Sequence, residues 1–111
     1  MLKDSFYNII SFDRVDGGAV VEIALNPAHD IYKAHFPGYP ITPGVCIVQI
    51  ALELMSECAG RDLVLVGAKD IKFLVPVEPG TSPRLTFTIT GSTVIVSHDD
   101  TVFAKMNLDI E

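Results

Sequence analysis

A histidine, two Pro-Gly pairs and a helix-forming segment follow one another between residues 35 and 54, in the order HFPGYPITPGVCIVQIALEL. His35 is a candidate general base, because imidazole exchanges its proton near neutral pH. The Pro-Gly pairs lead the chain into the start of a helix, where backbone N–H groups and the helix dipole favour developing negative charge. The first polar side chain of that helix is Gln49, and an amide cannot give up a proton near neutral pH. The segment therefore offers a candidate base ahead of a helix start, but no evident acid.

The helix is predicted over residues 45–59, where VCIVQIALELMSECA contains good helix formers and neither Gly nor Pro. Thr42 is a candidate N-cap, and Gly60 is a candidate C-terminal stop. All positions outside one polar stripe are apolar or small, so this helix must be covered on most sides. The polar stripe consists of Gln49, Glu53, Ser56 and Glu57.

The remaining segments read as strands and turns. Residues 18–26 follow a turn signal at Asp16-Gly17 and are predicted as a strand, and the Pro-rich segment 27–44 is predicted as an ordered loop. After the helix, three stretches rich in β-branched and aromatic residues are predicted as successive strands, the last two joined by a hairpin at His98-Asp99-Asp100. Strands joined by short turns form an antiparallel sheet, which must curl around the central helix to cover it. The three stretches are 63–77, 84–97 and 101–110.

Composition restricts the class of protein. A chain of 111 residues with 49% hydrophobic and 20% charged residues is expected to form one α+β domain over 1–111. Its net charge of −6 argues against a nucleic-acid surface. We find no apolar stretch long enough for a membrane span and no signal-peptide pattern, and we therefore expect a cytoplasmic protein. Cys46 and Cys58 would lie about 18 Å apart along the helix, too far for a disulfide, so both are expected to be reduced.

The segment HFPGYPITPGV resembles the His-Phe-Pro-Gly-x-Pro-x-x-Pro-Gly-Val motif of the hotdog-fold (3R)-hydroxyacyl-acyl-carrier-protein dehydratases. A second segment, IKFLVPVEPG at 71–80, is similar to that family's Lys/Arg-Phe strand leading to Pro-Val-x-Pro-Gly. Together with the order of elements, the resemblance covers most of the chain. It implies a hotdog fold, in which one long central helix is wrapped by a curved antiparallel sheet. It also implies a homodimer or a higher even oligomer, whose tunnels lie at the subunit interface.

The resemblance implies the elimination of water from a β-hydroxyacyl thioester, in fatty-acid or polyene-type lipid biosynthesis. Carried over to this chain, His35 is the base that removes the α-proton, and the amides of Gly44 and Val45 polarise the thioester carbonyl. The family's acid, a Glu or Asp, falls on Gln49. Many members have Gln four residues later, where this chain has Glu53, so the two residue types are exchanged. Because residues i and i+4 share a helical face, Glu53 is a candidate substitute acid one turn deeper.

The acyl chain and its carrier need further residues. Apolar side chains are available as tunnel walls. Four basic residues are candidates for docking an acyl carrier protein, although Leu74 and Val75 stand where relatives often carry arginine, which leaves a coenzyme A thioester possible. No metal-ligand spacing or Gly-rich phosphate loop occurs, and the elimination needs neither a metal nor a cofactor. The tunnel candidates are Phe36, Ile41, Val45, Val48 and Phe73, and the docking candidates are Lys33, Lys69, Lys72 and Arg84.

Several alternatives stay open. A hotdog thioesterase would share the fold and would use a helix carboxylate such as Glu53 to activate water. A non-catalytic acyl-binding or partner subunit would keep the tunnel and lack the acid. Gln49 and Glu53 would then be only the polar side of a buried helix. Cys46 is a core residue or a nucleophile at the helix start, with the core role favoured, and His29 and His98 are expected to be ordinary surface residues.

Overall fold

The computed structural model describes residues 1–34 and 40–111. His35 and Phe36 lie outside the described residues. Within those two ranges the chain forms six strands and two helices. The elements are β1 (Tyr7–Val15), β2 (Gly18–Leu25), α1 (Asp30–Ala34), α2 (Gly44–Ala59), β3 (Leu65–Phe73), β4 (Arg84–Thr90), β5 (Thr93–His98) and β6 (Thr101–Ile110).

The strands form one antiparallel sheet in the order β1-β2-β4-β5-β6-β3. Along β2 and β4, buried and partly exposed positions alternate, as expected for a sheet that is apolar on one face and polar on the other. The buried side chains of these strands and those of α2 belong to one core, in which Ile50, Ala51 and Leu54 have no exposed surface. A curved sheet packed on one long helix confirms the predicted α+β class.

Helix α2 begins one residue earlier than predicted. Pro43 occupies the N-cap position in an extended conformation, which suits its fixed φ, and no side chain caps the helix. The prediction of Thr42 as N-cap is therefore wrong. At the other end, Gly60 adopts the left-handed conformation with a φ of 72°, and its N–H reaches the carbonyls of Ser56 and Glu57. The predicted stop is confirmed, because glycine tolerates this conformation without strain.

The strand predictions need three corrections. Residues 84–97 form two strands, because Gly91 adopts a φ of 58° and turns the chain back on itself. Strand β1 was not anticipated, since a bulge between Ile9 and Ser11 interrupts its alternation. Strand β3 pairs with β6 and not with β4, which follows it in sequence, so the loop after β3 carries the chain across the sheet.

Two smaller features complete the fold. Segment 27–44 contains the short helix α1, where only a loop was predicted. The hairpin at His98-Asp99-Asp100 is confirmed, with Asp99 at a φ of 50°.

Cys46 and Cys58 are free thiols, as expected. Among the residues that the structure describes, no helix has the length and hydropathy that crossing a membrane requires.

Candidate active site

A cavity of about 660 Å³ lies between the first half of α2 and strand β3. Helix residues three or four positions apart face it, as the helical period requires, and β3 supplies the opposite wall. Of the predicted tunnel residues, Val45, Val48 and Phe73 line this cavity, as does the candidate catalytic residue Gln49. The complete lining among the described residues is Gly44, Val45, Val48, Gln49, Leu52, Leu65, Ile71 and Phe73.

A second cavity of about 310 Å³ adjoins the first around the start of α2. Ile41, another predicted tunnel residue, lies in its wall, and Gly44 and Phe73 line both cavities. The two spaces together follow the helix N-terminus along an apolar surface. Such a surface suits a hydrocarbon chain.

Two backbone N–H groups at the helix start come before the first helical hydrogen bonds. The first helical hydrogen bonds run from the N–H groups of Cys46 and Ile47 to the Pro43 carbonyl, at 3.0 and 3.2 Å. The N–H groups of Gly44 and Val45 precede this turn, and both residues line the larger cavity. Helix N-termini favour negative charge, so this geometry fits the predicted oxyanion role of Gly44 and Val45.

Gln49 and Glu53 contact each other directly, because one helical turn separates them. The Gln49 Nε2 atom donates a hydrogen bond to Glu53 Oε2 at 2.9 Å. An ionised carboxylate only accepts hydrogen bonds, so the nitrogen and not the oxygen of the amide must face Glu53. The Glu53 carboxylate thus determines how the Gln49 amide is turned.

Three further donors surround the Glu53 carboxylate. The backbone N–H groups of Leu2 and Lys3 lie 2.8 and 3.0 Å from its two oxygens, and the Tyr7 hydroxyl lies 3.0 Å from Oε1. The Glu53 residue is 6% exposed. Burial alone raises the pKa of this carboxyl, but the hydrogen bonds from Leu2, Gln49, Lys3 and Tyr7 outweigh burial and hold the pKa below its usual range.

This arrangement does not fit the expectation that Glu53 is a substitute acid. A proton donor must carry its proton near neutral pH, whereas hydrogen bonds to the charged form keep this carboxyl ionised. Glu53 is also not among the described residues that line the larger cavity. The position of Glu53 also counts against the thioesterase alternative, in which this carboxylate would have to reach the cavity to activate water.

A hydrogen bond joins Tyr32 and Thr42, which precede and follow His35 in sequence. The Tyr32 hydroxyl and Thr42 Oγ1 lie 2.9 Å apart, and the Thr42 N–H donates to the Val77 carbonyl at 2.7 Å. The Tyr32 ring is stacked on Phe6, with the ring centroids 5.2 Å apart. Tyr32 and Thr42 are therefore both attached to the core.

His29 was expected to be an ordinary surface residue, and the structure corrects this. It is partly buried, its Nδ1 atom accepts a hydrogen bond from the Ile31 N–H at 3.1 Å, and its ring meets Phe6 edge-on at 5.2 Å. These contacts give His29 a structural role at the start of α1. His98 is also partly buried, and its Nε2 atom lies 3.5 Å from an Asp99 carboxylate oxygen.

The four candidate docking residues are all exposed. Three of them have an acidic neighbour, with N···O distances of 3.8 Å for Lys33 to Asp30, 3.8 Å for Lys72 to Asp70 and 4.0 Å for Arg84 to Glu22. Such long, solvated ion pairs are worth little, so an incoming anion can compete for the cations. Docking of a carrier protein on Lys33, Lys69, Lys72 and Arg84 stays a prediction.

The structure assigns Cys46 to the core. It is 7% exposed, and burial raises the pKa of its thiol, which disfavours the thiolate that a nucleophile needs. Over residues 1–34 and 40–111, no group of three or more His, Cys, Asp or Glu side chains is arranged to hold a metal ion.

Two parts of the site were missed by sequence reasoning. The apolar wall includes Leu52, Leu65 and Ile71, and Leu52 could have been found because it lies one helical turn beyond Val48. The donors from Leu2, Lys3 and Tyr7 could not, since two are backbone groups and all lie more than 40 residues away in sequence from their acceptor.

Comparison with known proteins places this chain in a family. The family model for ApeI-like proteins, described as ApeI dehydratase, matches residues 13–106, which is most of the chain. The chain belongs to the ApeI-like dehydratase family. This ApeI-like chain is also 33% identical over 95 residues to the 3-hydroxyacyl-[acyl-carrier-protein] dehydratase FabZ of Ligilactobacillus salivarius, covering 75% of this chain and 68% of the relative.

Other FabZ relatives are longer than the ApeI-like chain. The FabZ proteins of Rhizorhabdus wittichii and Koribacter versatilis are 31% and 35% identical to it over 77% and 69% of this chain. Only 57% and 54% of those two relatives is covered, so the chain spans between about half and two thirds of the length of the curated relatives it matches.

Solved structures share the fold of the ApeI-like chain. A chain of the dehydratase heterocomplex ApeI:P from Xenorhabdus doucetiae superposes with a TM-score of 0.76 at 18% identity, covering 92% of this chain and 95% of that one. A protein from Erwinia carotovora superposes with a TM-score of 0.62 at 19% identity, covering 93% and 91%. These likenesses confirm the hotdog fold.

Proposed function

We propose that this chain is a (3R)-hydroxyacyl-thioester dehydratase that takes its substrate from an acyl carrier protein, in fatty-acid or polyene-type lipid biosynthesis in the cytoplasm. The observation that carries the proposal is the position of Gln49 and the Gly44 and Val45 N–H groups on the wall of one apolar cavity. A thioester carbonyl at the helix start and an acyl chain along β3 would use these features together. The family and the FabZ relatives support the reaction type.

In the proposed reaction His35 takes the α-proton, and the resulting electron pair forms the Cα–Cβ double bond as the Cβ–O bond breaks. The N–H groups of Gly44 and Val45 stabilise the charge that develops on the thioester oxygen. Gln49 holds the β-hydroxyl by a hydrogen bond. The departing hydroxyl needs a proton from a group other than Gln49, and His35 carries one after it has accepted the α-proton. Atoms balance with a trans-2-enoyl thioester and one water as products.

A dimer is part of the proposal. Large apolar side chains are exposed on β3, on the loops that flank it and at the start of α2, so a partner packed there would bury them. The cavity is open on this side, and a partner would complete its wall. The exposed side chains are Val45, Val64, Leu65, Val66, Phe73, Leu74 and Val75.

The amide at position 49 favours a second candidate, a partner subunit in a heterocomplex. In that function this chain would supply the tunnel wall, and a related chain with a carboxylic acid at the equivalent position would supply the proton. The Xenorhabdus doucetiae structure is that of a dehydratase heterocomplex, which gives this candidate a precedent in the fold.

Incubation of the purified protein with crotonyl and 3-hydroxybutyryl carrier thioesters separates the candidates. A dehydratase interconverts the two, which is followed by enoyl absorbance, and releases no free thiol. His35→Ala should abolish the interconversion, and an unchanged rate would refute the assigned base. Turnover that appears only after mixing with an acid-bearing dehydratase chain would favour the partner subunit, and release of free thiol would mean hydrolysis.

A further inference from the structure

The Glu53 carboxylate is bound on two sides that have different functions. On one side it accepts hydrogen bonds from the N-terminal segment, whose donors are Leu2, Lys3 and Tyr7. On the other side it accepts a hydrogen bond from Gln49, which lines the larger cavity. A carboxylate that served only to attach the N-terminal segment would not need the fourth donor. The contact with Gln49 connects this attachment to the candidate active site.

The N-terminal segment, residues 2–7, is itself firmly held. At its far end the Asn26 N–H donates to the Phe6 carbonyl at 2.9 Å, and Asn26 Nδ2 donates to the Ser5 carbonyl at 3.0 Å. Phe6 has no exposed surface and is stacked on Tyr32. Because the segment is attached at both ends, its N–H groups are fixed, and they fix the carboxylate that they bind.

The direction of the Gln49 amide follows from this. Its nitrogen is committed to Glu53 Oε2, and its oxygen, on the other side of the same planar group, must point elsewhere. A β-hydroxyl carries one proton to donate, and an amide oxygen is a suitable acceptor for it. If the amide could rotate freely, its two donor N–H groups would compete for the same place.

We propose that Glu53 is a positioning residue that turns the Gln49 amide so that its oxygen accepts the hydrogen bond of the substrate's β-hydroxyl. This inference rests on the proposed function, in that the ligand is a β-hydroxyacyl thioester. Glu53 touches neither the substrate nor the reacting atoms. Its effect passes entirely through Gln49, so the two residues act as one unit.

Binding of two thioesters tests the proposal. In a His35→Ala background, which does not consume the ligand, affinities are measured for 3-hydroxybutyryl and butyryl thioesters of the same carrier. Glu53→Gln should weaken binding of the hydroxyacyl thioester about fivefold, the value of one neutral hydrogen bond, and leave the butyryl thioester unchanged. Glu57→Gln, one turn further along α2, is the matched control and should change neither.

A double-mutant cycle separates positioning from a general loss of structure. In a Gln49→Ala background, Glu53→Gln should no longer alter the ratio of the two affinities. An equal loss for both thioesters, no loss for either, or the same change of ratio without Gln49 would each overturn the proposal.

A spectroscopic test does not depend on the variant or on the ligand. In the unsubstituted protein, the side-chain amide proton and nitrogen resonances of Gln49 should shift as acid protonates Glu53, with the same midpoint as the Glu53 carboxyl resonance. Amide resonances that stay constant through that titration would overturn the proposal. If neither thioester binds but the resonances titrate together, the proposed function fails and the positioning of Gln49 by Glu53 stands.

Discussion

A Cβ atom placed on Gly44 would lie 2.8 Å from Cζ of Phe73, so the Phe73 ring lies directly against the backbone at the first residue of α2. The ring belongs to the edge strand β3 and borders both cavities. It is 51% exposed, which leaves it room to move when a neighbour changes. The absence of a side chain at position 44 therefore leaves the space that this ring occupies.

Gly44→Ala should displace the Phe73 ring without unfolding the protein. The new methyl group meets the far end of a half-exposed side chain, and alanine is the better helix former, so stability should change by less than about 1 kcal/mol. Acyl-chain binding should weaken, because the displaced ring enters one of the two cavities. Butyryl-thioester affinity and a urea unfolding curve measure the two effects.

Phe73→Leu supplies the control for this prediction. A smaller side chain removes the overlap, so Gly44→Ala should have less effect on affinity in the Phe73→Leu background than alone. Equal effects in both backgrounds would show that the contact between Gly44 and Phe73 does not control the cavity.

Gln49→Glu should create a protonated carboxyl beside the cavity. The new side chain would face the Glu53 carboxylate, which keeps three other donors and stays ionised, so the pKa of the new carboxyl should rise. A protonated acid next to the β-hydroxyl would supply the proton that His35 otherwise has to deliver, so the dehydration rate should increase. The rate should then decrease as the pH rises through that pKa.

The pH dependence of the unfolding free energy provides a second test of Gln49→Glu. Since the folded-state pKa of the new carboxyl lies above its unfolded value of about 4.3, Gln49→Glu should lose stability as the pH rises from there through the folded pKa. The double variant Gln49→Glu/Glu53→Gln removes the second charge, so this loss of stability with rising pH should disappear. A double variant that loses stability over the same pH range as Gln49→Glu would contradict the assumed contact.

Glu53 should contribute to stability above the acid range and lose that contribution in acid. Its folded-state pKa is lowered, so between the folded and unfolded pKa values the unfolded chain binds more protons, and stability falls as the pH falls. Glu53→Gln should cost about 2 kcal/mol at pH 7, and this difference should shrink below about pH 4.3. Urea unfolding at a series of pH values measures the effect.

Glu57→Gln is the matched variant for that experiment. Glu57 accepts a hydrogen bond from the Lys3 ammonium at 2.9 Å, but its side chain is 43% exposed, so the loss should stay below about 1 kcal/mol. Equal losses of stability for Glu53→Gln and Glu57→Gln would contradict the inference that the four donors around Glu53 stabilise the folded protein.

Thr42→Val should weaken the attachment of Tyr32 to the start of α2. It removes the hydroxyl partner of Tyr32 while keeping the shape, leaving a buried phenol without that hydrogen bond, at a cost of about 1 to 3 kcal/mol. The rate of dehydration should fall more than substrate affinity, because Tyr32 and Thr42 flank the proposed base in sequence. Thr42→Ser keeps the hydroxyl and should retain both rate and stability.

The sequence predicts the central helix and most strands because these depend on local patterns, and it predicts the hotdog fold through the motif that resembles a known family. The run from Val45 to Ala59 has one polar stripe, and strand β2 alternates with period two. Strand β1 and the pairing of β3 with β6 were missed, since a bulge hides the period of β1 and strand order depends on how the chain crosses the sheet.

The candidate site is predictable only in part, for a related reason. Helical spacing brings Gln49 and Glu53 together, and the motif marks the helix start, so the sequence identifies these residues. It does not reveal which atoms surround Glu53, because Leu2 and Lys3 bind through backbone groups that every residue except proline has. The difference between a proton donor and a fixed anion lies in those contacts.

The contact between Gln49 and Glu53 also limits which residues suit these two positions of α2. Two carboxylates would repel each other, whereas two amides would leave the donors of the N-terminal segment without their anion. The single negative charge of this pair is therefore part of what holds the N-terminal segment against the helix.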